Sequence, residues 1–397
     1  MSEASRVPVG EAFGAASRAS DYVEEDTAAM VGAVPIETPP TLGLRDDPGA
    51  PRSREAGAGA HLSHGPVDRS TSVLFGGAVP SSTPSAPRRA TMGLRGLLAG
   101  LGLPVAPGPR EAADLAAVAD AEEHRARDAL TIRQATWTRA VSILVGNPKG
   151  GTGKTPTALL LGGVIASIRG GSTAIVEFSD DPGALNYRAE GSPRLGVGEL
   201  VRDVNAIRTA GQLTGYTAPQ TSFANVIGST GRRERLTGEA VVAVSRVIDE
   251  FYGVRVMDTG NQPTSSAFRG AVSVADVLVI PVLNAGDSVL EAIQLLEELR
   301  EDGGHAAALA QRVIAIRLTD GRPESDVVRD EVARLLREAG VQALFEIPYD
   351  AHIAERGQLT LGSLAPATRD AFAAAAAAVV RILQEAVAPA SDLTRKA

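Results

Sequence analysis

The stretch GNPKGGTGKT, residues 146–155, places four glycines and two lysines in one short loop. The chain has only three lysines, Lys149, Lys154 and Lys396, although Lys and Arg together number 39. A sequence that writes nearly all its positive charge as arginine keeps two ammonium groups beside these glycines, and that combination points to phosphate. Glycines let successive backbone N–H groups turn toward phosphate oxygens, because no Cβ blocks the approach. A helix beginning at the end of the loop adds unpaired donors and the positive end of its dipole. In such a loop Gly150, Gly151, Thr152 and Gly153 supply the cradle. Lys154 brings a compact charge to the β- and γ-phosphates, and the Thr155 hydroxyl coordinates Mg²⁺.

This chemistry needs a strand before the loop and a helix after it. AVSILVG (140–146) reads as that strand and PTALLLGGVIASIR (156–169) as that helix. Further β-rich runs follow at 172–178, 223–229, 253–258, 275–282, 312–318 and 342–348, most of them separated by helical stretches such as 287–302 and 324–340. Near-continuous apolar strands alternating with helices predict an α/β domain, a mostly parallel sheet covered by helices on both faces.

Composition narrows the remaining possibilities. The absence of cysteine excludes disulfides and thiolate metal sites. The five histidines show no ligand spacing. A net charge of −8 argues against wholesale coating of nucleic acid, although Arg232, Arg233 and Arg235 could form a local basic patch for non-specific DNA; a solvated loop is the blander reading of these three. The alanine-rich run 371–380 is too short to span a bilayer, and its helix suits packing on the sheet better than a membrane surface. A cytoplasmic location is expected. Residues 1–90 are rich in Pro, Gly, Ala and Ser and read as a disordered tail. A cluster of Leu94, Leu97, Leu98, Leu101 and Leu103 opens a lead-in segment at 91–137. The main domain is expected at 138–388, followed by a flexible end at 389–397.

KGGTGKT, from Lys149 to Thr155, matches the deviant P-loop of the ParA/MinD ATPases at every fixed position, and the chain resembles that family over roughly residues 91–386. The resemblance implies ATP and Mg²⁺ as ligands and a homodimer in the ATP state, in which Lys149 reaches the nucleotide held by the partner subunit. The segment 252–282 resembles the second strand and switch of the family, which implies that Asp258 holds Mg²⁺ through water and that Gly260 sits in the turn. At the first switch the family carries an aspartate that orients the attacking water. That position falls on Glu177 in EFSDDPGAL, with Asp180 and Asp181 close by. The segment 347–379 resembles the C-terminal end of actinobacterial members, including those associated with type VII secretion, and implies an adenine pocket around Pro348, Tyr349 and Asp350.

Two departures from the family follow. Pro156 stands where a second threonine is usual, so one N–H and one hydroxyl are lost near the α-phosphate, a loss of roughly 1.5–3 kcal/mol. Glu177 puts the switch carboxylate on a longer arm, which implies slow hydrolysis. The expected partners are a second copy of the chain and a protein, either a ParB-like adaptor or a secretion component. A nucleotide-dependent scaffold with little hydrolysis is the rival reading.

Overall fold

Five strands of the central sheet are buried at every residue, and the layered architecture follows from that. The computed structural model describes Leu101 and residues 106–387. The expected tail at 1–90, the leucine cluster apart from an exposed Leu101, and the C-terminal stretch 389–397 lie outside the described residues.

The strands are β1 (Val141–Val145), β2 (Thr173–Phe178), β3 (Ala218–Pro219), β4 (Asn225–Ile227), β5 (Val254–Thr259), β6 (Val277–Val282), β7 (Val313–Leu318) and β8 (Ala343–Ile347). They form one sheet in the order β3-β4-β2-β5-β1-β6-β7-β8. Every pairing is parallel except β3 with β4 at one edge. The long helices are α1 (Pro109–Gln134), α2 (Lys154–Arg169), α3 (Gly238–Asp249), α4 (Ser266–Ser273), α5 (Gly286–Asp302), α6 (Asp326–Glu338) and α7 (Pro366–Val387). The expected α/β fold is present, with the glycine loop joining β1 to α2.

Successive strand residues point to opposite faces, and each face has its own core. Ile143, Val145, Ile175, Val256, Val279 and Ile316 pack with Leu161 and Ile165 of α2 and with Phe372, Val379 and Leu383 of α7. Leu144, Val176, Met257, Leu278 and Ile280 face the other way, onto Val244 and Ile248 of α3, Phe268 of α4, Leu295 and Leu296 of α5 and Leu336 of α6. The alanine-rich helix is thus a buried packing element against α1, α2 and β8. The lead-in segment contains α1. It packs on α7 and α2, buries Ile132, and is tied down where the Arg169 guanidinium stacks 4.3 Å from the Trp137 ring centre. The antiparallel edge strand β3 and the short helices Val197–Asp203 and Ala210–Thr214 were not read from the sequence.

Helices α3 and α4 touch through glycine. A Cβ built on Gly270 would stand 2.5 Å from the Gly238 Cα. Overpacking of this kind costs typically about 1–3 kcal/mol. Gly270→Ala is therefore expected to lower the free energy of unfolding by that amount and the urea midpoint with it, whereas Gly231→Ala, whose Cβ would meet nothing within 4 Å, leaves the midpoint unchanged. Equal midpoints would show that the two helices separate without cost.

Candidate functional site: a glycine-loop cleft

In a parallel sheet all the strands end on the same side, so the loops leaving their carboxyl ends gather there and form the ligand crevice. Here the loops after β1, β2, β5, β7 and β8 enclose a cleft of about 740 Å³, lined by Gly151–Pro156, Asp180, Asp181, Asp258, Gly260, Asp320, Pro348 and Asp350, among others. Strand register aligns Val145 with Asp258 and Glu177 with Asp258, which brings the glycine loop and the loops after β2 and β5 to a common level.

The loop depends on backbone conformations that favour glycine. Gly151 has φ 78° and Gly153 has φ 92°. At Gly153 a Cβ would also lie 2.1 Å from Leu318 Cδ1. Asn147 pins the start of the loop: its amide donates to the carbonyls of Pro281 (2.9 Å) and Ser288 (3.3 Å), while its side-chain oxygen accepts from the Lys149 N–H (2.9 Å). The buried Thr152 hydroxyl lies 3.4 Å from the Lys149 carbonyl.

Both lysines are engaged. The Lys154 ammonium donates to the carbonyls of Asn147 (2.9 Å) and Lys149 (3.0 Å), curled over the loop. Burial lowers its pKa to about 8, against the opposing charge of Asp258. Lys149, by contrast, is 41% exposed and forms an ion pair at 2.7 Å with Asp287 in the first turn of α5. That hydrogen bond holds the Lys149 ammonium above its ordinary range.

Asp258 is buried at the end of β5. One carboxylate oxygen accepts the Thr155 hydroxyl at 2.8 Å, while Oδ1 has no hydrogen-bond partner. Burial, assisted by the charge of Glu177, pushes its pKa up to about 7. Pro156 is the third residue of α2. Its missing N–H is one of the first four that have no acceptor within the helix, so the helix loses nothing, and the next amide, Thr157, bonds the Gly153 carbonyl at 2.9 Å. Pro348 lines the cleft. Asp350 does too, but its carboxylate is already occupied by the amides of His352 (3.0 Å) and Ala365 (2.9 Å).

Glu177, expected from the resemblance to orient the attacking water, is buried behind the loop after β2. It is 1% exposed and is not among the residues lining the cleft. Its carboxylate accepts from the amides of Gly183 (2.9 Å) and Leu185 (3.4 Å) and from the Ser229 hydroxyl, and it pairs with Arg233 at 3.2 Å. Asp180 and Asp181, in the loop after β2, line the cleft wall. Arg233 is correspondingly a buried ion-pair partner and does not belong to a surface patch; Arg232 and Arg235 remain exposed. The contacts of Asn147, Asp287 and Arg233 depend on partners supplied by the fold, which the loop motif alone does not show.

No protein-family model and no curated protein sequence matches the chain. Solved structures similar to it include a ParA family ATPase of Chlorobium tepidum, at 17% identity and TM-score 0.47, covering 55% of this chain and 90% of that one. An ATP complex of a McdA variant from Cyanothece is similar at 17% identity and TM-score 0.44, covering 62% and 96%. MinD from Pyrococcus horikoshii with Mg-ADP is similar at 15% identity and TM-score 0.46, covering 60% and 94%.

Asp258 and Lys154 make opposite contributions to the pH dependence of stability. The folded pKa of Asp258 lies above its ordinary 3.8, so the native chain holds the extra proton and loses stability as pH rises from about 4 to about 7. The folded pKa of Lys154 lies below its ordinary 10.5, so this group adds stability as pH rises from about 8 to about 10.5. Asp258→Asn is expected to remove the first dependence. Its melting temperature, followed by scanning calorimetry, should rise relative to wild type between about pH 4 and about pH 7. A constant difference between the two proteins across that range would contradict the assignment.

Proposed function

We propose that the chain is an ATP-binding switch of the ParA/MinD type that works with Mg²⁺ and dimerises in its ATP state. The observation that carries this reading is the pair Thr155–Asp258 at the end of the glycine loop, with one buried carboxylate oxygen left without a partner. Mg²⁺ keeps several waters and takes one or two carboxylates plus substrate phosphates, so a single carboxylate and a hydroxyl beside a phosphate cradle suit it. Among the described residues no cluster of three or more His, Cys, Asp or Glu could hold a metal ion, in keeping with a site that the phosphates complete. Thr155 and Asp258 would hold the ion, Asp258 through water, and the bound ion would neutralise charge on the phosphate oxygens.

The remaining roles belong to the chain itself. The amides of Gly150, Gly151, Thr152 and Gly153 bind phosphate oxygens. Lys154 exchanges the carbonyls of Asn147 and Lys149 for phosphate. Pro156 withholds one donor, and Pro348 and Asp350 wall the base end. Lys149, exposed and paired only with another exposed side chain, is free to leave Asp287 and cross to the partner subunit, since such pairs contribute little. Turnover is expected to be slow. A scaffold reading with little hydrolysis has its own support, because Glu177 is fully committed to Arg233 and the switch amides. A ParB-like adaptor or a secretion component, including one of type VII, is the expected protein partner, and Arg232 and Arg235 are the residues left for contact with DNA. No helix among the described residues is long and apolar enough to cross a membrane.

Sedimentation with a non-hydrolysable ATP analogue and Mg²⁺ tests the dimer. Wild type is expected to shift to dimer, whereas Lys149→Ala still binds nucleotide and stays monomeric. An equal dimer fraction in both proteins would refute a crossing lysine.

A further inference from the structure

Resting on the reading of the cleft as a nucleotide site, we propose that Arg188 and Arg356 form a second phosphate subsite in it, built from segments outside the glycine loop. Arg188 ends the short helix Leu185–Arg188 that follows β2, and Arg356 stands just past the short helix Ala351–Ala354 that follows β8. In the sheet, β5, β1, β6 and β7 lie between those two strands. The segments nonetheless meet. The Leu359 N–H donates to the Arg188 carbonyl at 2.7 Å, and Arg188 Nη2 donates to the Ile353 carbonyl at 3.3 Å. Both arginines line the same cleft as Lys154 and the loop glycines.

Neither guanidinium forms an ion pair among the described residues. Arg188 is 9% exposed, and its buried Nε has no hydrogen-bond partner. Burial, and then the like charge of the nearby Arg356, lowers its pKa. Carboxylates on the cleft wall are engaged elsewhere: Asp350 by the amides of His352 and Ala365, Asp320 by Arg322 at 3.4 Å, and Asp181 by Arg235 at 3.1 Å. A buried cation without a counter-charge is costly, and a second cation beside it adds to the cost. Arg356 carries backbone strain as well. Its φ of 57° is left-handed, at the position past a helix end where glycine is usual, although a glycine, Gly357, comes only one residue later. A bound anion would offset the unpaired charge. A phosphate group suits it, because a guanidinium presents parallel N–H donors that match phosphate oxygens. Its charge of about −2 also balances two arginines better than a single carboxylate does. The phosphate has two sources, the bound nucleotide itself or a separate polyphosphate ion.

The test titrates the full chain by calorimetry with ATP·Mg²⁺, with adenosine, and with pyrophosphate added to protein already saturated with ATP·Mg²⁺. The variants are Arg188→Gln and Arg356→Gly. The second relieves the left-handed backbone and is expected to melt no lower than wild type, so it decides the matter should Arg188→Gln fold poorly. If the nucleotide supplies the phosphate, each variant weakens ATP binding about tenfold or more and keeps adenosine within about threefold of wild type. The saturated wild type then takes up no pyrophosphate. If a separate ion supplies it, the saturated wild type binds pyrophosphate, and each variant weakens that binding about tenfold or more with ATP affinity unchanged. Either result supports the subsite. Variants that change neither ATP nor pyrophosphate binding overturn it and leave the nucleotide reading standing, as does an equal loss for ATP and adenosine. A wild type that binds no ATP overturns the proposed function and the inference with it.

Discussion

A carboxylate buried at the end of a fully covered strand is the constraint to which the rest of the site answers. Asp258 sits in β5 between β1 and β2, out of water, with a single hydroxyl for company. Burying a lone charge is costly, so without a ligand the group is held partly protonated, its pKa at about 7. A cation and phosphates arriving at the same end of the sheet would reverse that preference. The buried Lys154 ammonium is the opposite case in the same place, pushed down to about 8 and resting on loop carbonyls. Each is poorly satisfied alone, and a triphosphate with Mg²⁺ is the ligand that would satisfy both.

The packing keeps this arrangement rigid where it must be. The two cores fix the sheet from both faces, so the carboxyl ends of the strands cannot shift independently. Asn147 ties the loop to β6 and to α5, and the fork of Arg233 ties the segment after β2 to the loop before α3. Lys149 is the exception. Its exposed pair with Asp287 is screened by solvent and salt, which leaves the side chain available for a second site.

Much of this was legible in the sequence, for physical reasons. Strands such as VLVIPV announce themselves because both faces are buried, and KGGTGKT does so because the loop needs positive φ and close backbone approach. The run 253–258 reads as a strand ending in aspartate, whereas its level against the loop is set by the pairing of β5 with β1. Partners were another matter. Glu177 and Arg233 stand 56 positions apart and meet only through the β2–β4 side of the sheet. An arginine among Arg232, Glu234 and Arg235 looks like any solvated loop charge, so the role expected of Glu177 could not be weighed against the partner that occupies it. Likewise α1 has little amphipathic pattern, with Ile132 its only fully buried residue, and its docking depends on the complementary surface of α7.

The central claim is that the glycine loop is a phosphate cradle whose in-loop cation is Lys154. Calorimetric titration of wild type and Lys154→Ala with ATP in the presence of Mg²⁺ tests it most directly. The account predicts saturable binding of one nucleotide per chain by wild type and no measurable binding by Lys154→Ala. Near-wild-type affinity in a folded Lys154→Ala protein would contradict it.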